Sequence, residues 1–437
     1  MTDVKPRRAR RVTRPGSEGV SEGRRLRILV VGDVFPWPAH DGYRLRFSSV
    51  VRALSDIGDV DLFIGAFDGA GTSEAIPANV VSRFEGVETP FIGPSMTLAL
   101  RVMTNWWPSR LLCRDWRRAQ KSFRRFARGT YDLVWYVHAD SFAVFGDLSL
   151  GASVVDLDNL EGNVLRHPFG LFFMRSTHVQ SRVQLIRARS ESLARSLLSW
   201  RDRALWSRLE RSIVKEVASV VICSEVDRVR LRTPRVAVIG NGYADPGPPG
   251  GSVPESPTLV MVAVFTYQPN LAGANWLAHK VLPELRRLVP DVRVRLIGRY
   301  DERLPLAAQV PGIEIVGEVV ELESELRHAR GAVIPILHGS GTRIKFIEAL
   351  AYGLPVVTTH MGCEGLRIKV GHHALVRDDP LAFAAACAQV LTDDATCERL
   401  RSNGRSFYLD HCATNVVDAQ IRSFAWNVVN DPRSVRR

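Results

Sequence analysis

The sequence has no apolar run approaching the roughly 18 residues that a bilayer-spanning helix needs. Its first stretch, MTDVKPRRARRVTRPGSEGVSEGRR, lacks the apolar core of a signal peptide and has nothing to bury, so it reads as a disordered basic tail. Cysteine is scarce and scattered. Cys113, Cys223, Cys363, Cys387, Cys397 and Cys412 form no CxxC pair. That pattern argues for free thiols in a reducing cytosol and against a zinc site. No short repeat occurs. The basic stretches are not interleaved with aromatics, which speaks against nucleic acid as a partner.

What is present is an ordinary globular composition, 46% hydrophobic and 24% charged. At 437 residues the chain is too long for one core, so two domains are expected. The formal net charge is +12, and nearly all the cations are arginine. They concentrate in the tail, in RDWRRAQKSFRRFARG (114–129) and in an Arg-Leu stretch at 175–215. Such patches meet anionic lipid, nucleic acid or acidic substrates, and equally often are solvated faces.

Apolar runs alternate with helical patterns along the chain. RILVVGDV (27–34) reads as a buried strand, WPAHDGYRLR as a loop and FSSVVRALSDIG as a helix closed by Gly58. VDLFIGAF, YDLVWYVHA and ASVVDLDN are further strands, each apolar and then abruptly polar. Residues 167–217 interrupt this rhythm with a long helical period. A Pro/Gly/Ser-rich segment after RVAVIGNGYAD marks a domain boundary. TLVMVAVF, VRVRLIGR, IEIVGEV, GAVIPIL and PVVTT then read as strands with helical patterns between them. The expectation is two doubly wound α/β sheets in tandem.

One stretch breaks the pattern, HGSGTRIKFIEALAYGLPVVTT at 338–359. It places small residues and two cations between a strand end and a helix start. Ligands bind at the carboxyl edge of open parallel sheets, and a helix N-terminus favours an anion. Gly339, Ser340 and Gly341 let backbone approach a ligand, and Arg343 and Lys345 suit a phosphate pair. Ile347, Leu350 and Ala351 share the face expected to be buried. Glu348 falls off that face, either as a surface ion pair with Lys345 or as an acceptor for sugar hydroxyls.

The segment GSGTRIKFIEALAYGLPVVTTHMGCEGL resembles the donor-site signature of the retaining family-4 glycosyltransferases of GT-B fold. PAHDGYRLR looks like the glycine-rich first loop of their N-terminal domain. VVDLDNLEGNVLR, LERSIVKEVASVVICSEVDRVRL, VAVIGNGYAD and YQPNLAGANWLAHKVLPELRRLVPDVRVRLIGR follow in the family's order, so the resemblance spans roughly residues 27–415. It implies two Rossmann-like domains facing a central cleft, with a nucleotide-sugar held mostly by the second. Carried over by position, Arg343 and Lys345 hold the diphosphate, Glu348 the ribose hydroxyls, and Gly42 approaches the phosphate or sugar from the first domain. Gly339, Ser340, Gly341 and Thr342 complete the loop. The resemblance implies no metal and no cofactor beyond the nucleotide-sugar co-substrate. DLD at 156–158, the nearest thing to a DxD triplet, falls at an N-domain strand end. Two positions depart from the family. Ser340 stands where many members have a second glutamate, and Ala263 stands where a glycine is expected.

Further candidates carry two readings each. His138, ending a strand at the cleft edge, is either a contact near the anomeric centre or a structural histidine. Asp156, Asp158, Asn159 and Glu161 either meet acceptor or cap the next helix, with capping favoured. Arg299 reaches phosphate or is simply solvated. Asn241 makes a turn. Glu364 lines the donor site or does not. Trp106 and Trp107 form an apolar acceptor lip or membrane contact, or pack into the core, with core packing favoured.

The expected organisation is a basic tail (1–26), an acceptor domain with a helical insertion (27–243), a linker (244–257), a donor domain (258–415) and a C-terminal helix returning to the first domain (416–437). The expected activity is retaining transfer from a UDP- or GDP-sugar to a hydroxyl of a glycan, lipid-linked saccharide or small metabolite. The expected setting is cytoplasmic, with docking at an anionic inner-membrane surface. A sugar-nucleotide epimerase and a non-catalytic binding protein are the rival readings.

Overall fold

The computed structural model describes residues 24–39, 41–67, 75–93, 95–164, 182–250, 254–339 and 343–432. The basic tail to residue 23, residues 165–181 with the start of the Arg-Leu stretch, and Ser340, Gly341 and Thr342 lie outside them.

Two parallel sheets carry the chain. The first contains β1 (Leu26–Gly32), β2 (Gly58–Ile64), β3 (Arg83–Gly86), β4 (Leu133–Val137), β5 (Ala152–Asp158), β6 (Ser219–Ile222) and β7 (Val236–Val238), in the order β3-β2-β1-β4-β5-β6-β7. The second contains β8 (Thr258–Val262), β9 (Arg293–Ile297), β10 (Ile313–Gly317), β11 (Gly331–Ile334), β12 (Val356–Thr358) and β13 (Leu375–Val376), in the order β10-β9-β8-β11-β12-β13. These ladders are parallel, as continuous apolar strands covered on both faces require.

Alternation along each strand supplies two cores per sheet. Ile28 and Val30 of β1 pack with Phe47 and Trp135 on one face. Leu29 and Val31 pack with Phe63 and Phe123 on the other. In β8, Leu259 and Met261 face Leu277 and Phe383, while Val260 faces Phe346 and Leu350.

In each sheet the strand order reverses once, between β1 and β4 and between β8 and β11. Ligand crevices open at such reversals, beyond the carboxyl ends of the strands. The loops after β1, β8 and β11 all contribute to one cleft between the sheets.

Several boundaries differ from the sequence reading. The helix after β1 is Gly42–Ser55, so YRLR belongs to it rather than to a loop. Asp41 caps it by accepting from the Arg44 amide at 2.9 Å. Gly58 opens β2 instead of closing that helix. The strand of GAVIPIL stops at Ile334, and that of YDLVWYVHA stops at Val137, where a helix begins at His138.

The last helix, Thr414–Asn430, packs on the first sheet. Val417, Ile421 and Ala425 join the core of Phe47 and Trp135, and Asp418 accepts from Ser49 (2.7 Å) and Arg52 (2.9 Å). The chain therefore visits the second sheet and returns to fasten itself to the first.

Candidate active site

The cleft encloses about 740 Å³. The first sheet's side contributes Asp41, Gly42 and Leu45, and the second contributes Ala263, Tyr267, Gly339, Arg343, Lys345 and Glu348. The loop after β11 turns through Gly339 at φ +115°, a backbone region closed to most side chains, before reaching the helix Ile344–Ala351. Gly353, at φ +68°, ends that helix and turns the chain back into β12.

Arg343 occupies the cap position of helix Ile344–Ala351, and among the described residues no side-chain hydrogen bond closes the helix start. Its first amides are thus available to an anion. The Arg343 guanidinium is buried, and its Nε has no hydrogen-bond partner among the described residues. One terminal nitrogen reaches Met361 Sδ at 3.4 Å and lies 3.7 Å from Glu364. Burial lowers the Arg343 pKa, and Glu364 only partly opposes it. Lys345, by contrast, is 43% exposed and donates to Glu348 at 3.2 Å.

Glu348 is not on the surface. It is 6% exposed, and its second oxygen accepts from the Tyr243 hydroxyl at 2.9 Å. The helix is apolar on nearly all sides, so the stripe of Ile347, Leu350 and Ala351 is only part of its buried surface. Glu348 turns inward because Tyr243, from the segment joining the two sheets, closes over it. Burial and the carboxylate push the Tyr243 hydroxyl well above its ordinary range and keep it a donor.

The first sheet presents a different arrangement. Arg46, on helix Gly42–Ser55, lies 5% exposed beside a fully buried Asp156. Its Nε bonds both Asp156 oxygens at 2.9 Å, and another nitrogen reaches Ile239 O and Asn241 Oδ1 at 3.0 Å. Burial acts to lower the Arg46 pKa, but Asp156 and Asp158 outweigh it and hold the group charged. Asp156 and Asp158 therefore serve a buried arginine rather than capping the next helix. Glu161, in that helix's first turn, instead accepts from Arg110 at 3.0 Å. Asn241 orients Arg46 rather than merely shaping a turn.

His138 and Asp158 both adopt left-handed backbone, at φ +68° and +54°. Such strain in non-glycine residues costs roughly 1–3 kcal/mol and collects at functional sites. The His138 ring packs against Tyr43 at 4.0 Å, and Nε2 lies 4.0 Å from Asp158. Burial, with Arg110 and Arg46 nearby, drives its pKa well below the usual value, so the imidazole is neutral. Burial raises the Asp158 pKa to about 6 against the pull of Arg46, and Asp158 Oδ1 has no hydrogen-bond partner among the described residues. Asp33, following β1, is likewise raised to about 6 by burial and by Asp140, and accepts from the Tyr43 hydroxyl.

Among the carried-over positions, Gly42, Gly339, Arg343, Lys345 and Glu348 meet in the cleft wall. His138 does not line that cavity. Arg299 is exposed and outside it. Glu364 and Asn159 line a smaller crevice on the other side of Arg343, so Glu364 approaches the site from behind that guanidinium. Trp106 and Trp107 do not enter the core. Both are exposed. Sequence reading missed Tyr243, Arg46 and Asp33. For Arg46 a signal existed, an arginine within the apolar pattern RFSSVV. For Tyr243 there was none, because its partner lies 105 residues away.

Comparison with known proteins adds the family. Residues 256–393, which hold β8 to β13 and the helix Ile344–Ala351, match the family of Glycosyl transferases group 1. The chain carries a group 1 glycosyltransferase domain. That glycosyltransferase domain supplies the second wall of the cleft. Over 161 residues the chain is 22% identical to an uncharacterised 44.6 kDa protein from a Klebsiella pneumoniae cps region, a match covering 35% of this chain and 42% of that protein. The fold extends further. Sucrose-phosphate synthase from Thermosynechococcus elongatus superposes with TM-score 0.66 at 17% identity, over 92% of this chain and 99% of that one. Anabaena HepE, solved with UDP and glucose, gives 0.58 at 13%, over 92% and 100%. WaaG, a glycosyltransferase of lipopolysaccharide biosynthesis, gives 0.59 at 11%, over the same shares. The glycosyltransferase domain thus sits in a chain of GT-B fold, two Rossmann-like domains facing a central cleft.

Proposed function

We propose that the protein is a retaining glycosyltransferase that moves a sugar from a UDP- or GDP-sugar to a hydroxyl of a glycan, lipid-linked saccharide or small metabolite. The carrying observation is the buried Arg343, whose Nε has no partner among the described residues, at the start of helix Ile344–Ala351 beside the exposed Lys345, in the wall of a cleft of about 740 Å³. Breaking a sugar–phosphate bond builds negative charge on the leaving diphosphate. Fixed cations and helix amides stabilise that charge without reorganising. The HepE complex with UDP-glucose supports the donor class.

In this reading Arg343 and Lys345 bind the diphosphate and Glu348 accepts from the ribose hydroxyls. The donor sugar points toward Gly42 and the first domain (27–243), which receives the acceptor. The leaving diphosphate oxygen takes the acceptor's proton on the face from which it departs. Neutral His138, at the strained end of β4, acts from behind the cleft by packing on Tyr43. Charge compensation is assigned to these side chains, with no cofactor beyond the co-substrate. The proposed setting is the cytoplasm.

Thermal stability against UDP, GDP, ADP, TDP and their sugars tests the donor site. A diphosphate at about 100 times its Kd adds roughly 2.7 kcal/mol to the wild type. Lys345→Ala should lose most of that gain while keeping its ligand-free stability. No shift with any nucleotide would sink the reading. Stereochemistry is read by NMR as the anomer first released when donor is slowly hydrolysed.

A further inference from the structure

The first domain carries an apolar projection whose outer face is exposed among the described residues. Helix Met96–Thr104, capped by Ser95, buries only Val102. Met96, Leu100 and Met103 recur at the spacing of one helical face, and all three point into solvent. Trp106 follows, and Trp200 on helix Arg182–Glu216 adds a further exposed indole. Exposure reaches 87% at Met96, 79% at Met103, 77% at Trp106 and 70% at Trp200. The two segments are tied together, since Arg201 donates to the carbonyls of Asn105 and Trp107, and Ser109 to Asp202. Isolated exposed apolar residues need no explanation, but a contiguous set marks an interaction surface.

Beside this projection runs a basic groove. Helix Arg182–Glu216 buries Trp206, Ile213 and Val214 and turns Arg208, Arg211 and Lys215 outward on a single stripe. With Arg232 and Arg235 they line a groove of about 800 Å³ whose described lining contains no carboxylate. The two features meet at one residue. The Arg208 guanidinium, which lines the groove, lies 5.7 Å over the Trp106 ring.

We infer that this face docks on an anionic phospholipid surface. Met96, Leu100 and Met103 would enter the acyl boundary, with the Trp106 indole at headgroup depth, while Arg208, Arg211 and Lys215 meet lipid phosphates. Methionine, leucine and tryptophan beside arginine is the chemistry of an interfacial anchor, with indoles at headgroup depth. A soluble polyanion would use the cations and leave the apolar wedge unexplained. No helix among the described residues is long and apolar enough to cross a membrane, so the contact is peripheral. The inference stands apart from the transferase reading, because binding is measured without donor or turnover.

The test is flotation of the full chain with vesicles of phosphatidylcholine alone and with about one third phosphatidylglycerol. Each cation near such a surface strengthens binding about fivefold, so Arg208→Ala/Arg211→Ala/Lys215→Ala should weaken it on the order of a hundredfold. Met103→Ser/Trp106→Ser should abolish the part of the binding that survives high salt. Circular dichroism of both variants should match the wild type. Absence of binding to anionic vesicles would overturn the proposal. Binding unchanged in both variants would overturn it too, and would assign the affinity to the basic N-terminal segment. Tight binding to a soluble polyanion such as heparin, lost in the cation variant but indifferent to Met103→Ser/Trp106→Ser, would replace lipid by polyanion.

Discussion

The two walls of the cleft use charge in opposite ways. On the first sheet's side, behind the wall, Arg46 makes hydrogen bonds to Asp156, Ile239 O, Gly240 O and Asn241, and Arg110 pairs with Asp140 and Glu161. On the second, the buried Arg343 keeps an unpartnered Nε among the described residues, and Lys345 has one carboxylate shared with a tyrosine. A saturated arginine is finished within the fold. An unsaturated one is stable only when something else supplies the acceptors, because a buried polar group without a partner is costly. Saturation thus separates charges that build the site from charges that await a ligand.

The sharpest way to break this contrast is to remove a saturated cation. Arg46→Met strands a fully buried Asp156 and should cost about 3–5 kcal/mol in urea unfolding. Adding Asp156→Leu should recover part of the loss, since the stranded charge rather than the missing bond dominates. A loss under about 1 kcal/mol would mean that the pair is solvated. The mirror experiment is Arg343→Met. It removes a desolvated guanidinium that the fold does not satisfy, so ligand-free stability should hold or rise. Diphosphate affinity should fall roughly 10–100-fold, the worth of a charge-assisted bond. Calorimetric titration with UDP and GDP reads the second number. A large stability loss with affinity intact would reverse the assignment.

The sequence displays this contrast only in part. Strands such as RILVVGDV and TLVMVAVF were legible because burial on both faces leaves an unbroken apolar run, and the loop before IKFIEAL was legible because glycines and cations interrupt such a run. Saturation was not legible. Whether an arginine finds carboxylates depends on partners 110 residues away, as for Arg46 and Asp156. Glu348 shows the same limit. Helical spacing put it off the main apolar stripe, and only the docking of Tyr243 buries it. The tryptophans failed in the other direction. Trp106 and Trp107 are apolar and adjacent, which favours a core, yet the helix before them has only Val102 to anchor it.

Protonation sharpens the contrast from the acidic side. Asp158 and Asp33 are held near a pKa of about 6, above the unfolded carboxylate value of 3.8. The folded chain therefore binds more protons than the unfolded chain between about pH 4 and 6. The contribution of these groups to stability is full below pH 4 and is lost as pH rises through about 6. Asp158→Asn keeps the shape of the protonated acid, so it should flatten that slope. Relative to wild type it should gain about 1–3 kcal/mol on going from pH 4 to pH 8. Urea unfolding at pH 4, 6 and 8 measures it, and an unchanged slope would show that Asp158 ionises freely.

The smallest expected effect lies at the one contact where structural and ligand-directed groups meet. Tyr243 belongs to the segment linking the sheets, and its hydroxyl fills one of the two Glu348 oxygens while Lys345 fills the other. Removing that hydroxyl with Tyr243→Phe should cost about 1 kcal/mol of stability, the net worth of one such bond. If Glu348 accepts from a ribose, its orientation depends on Tyr243, so UDP affinity should fall about fivefold. Inorganic pyrophosphate, which has no ribose, should bind both proteins equally. Equal weakening of UDP and pyrophosphate would instead mean that Tyr243 acts through Lys345 on the diphosphate. Glu348 would then be a structural counter-ion for Lys345, and the ribose would need another acceptor in the cleft.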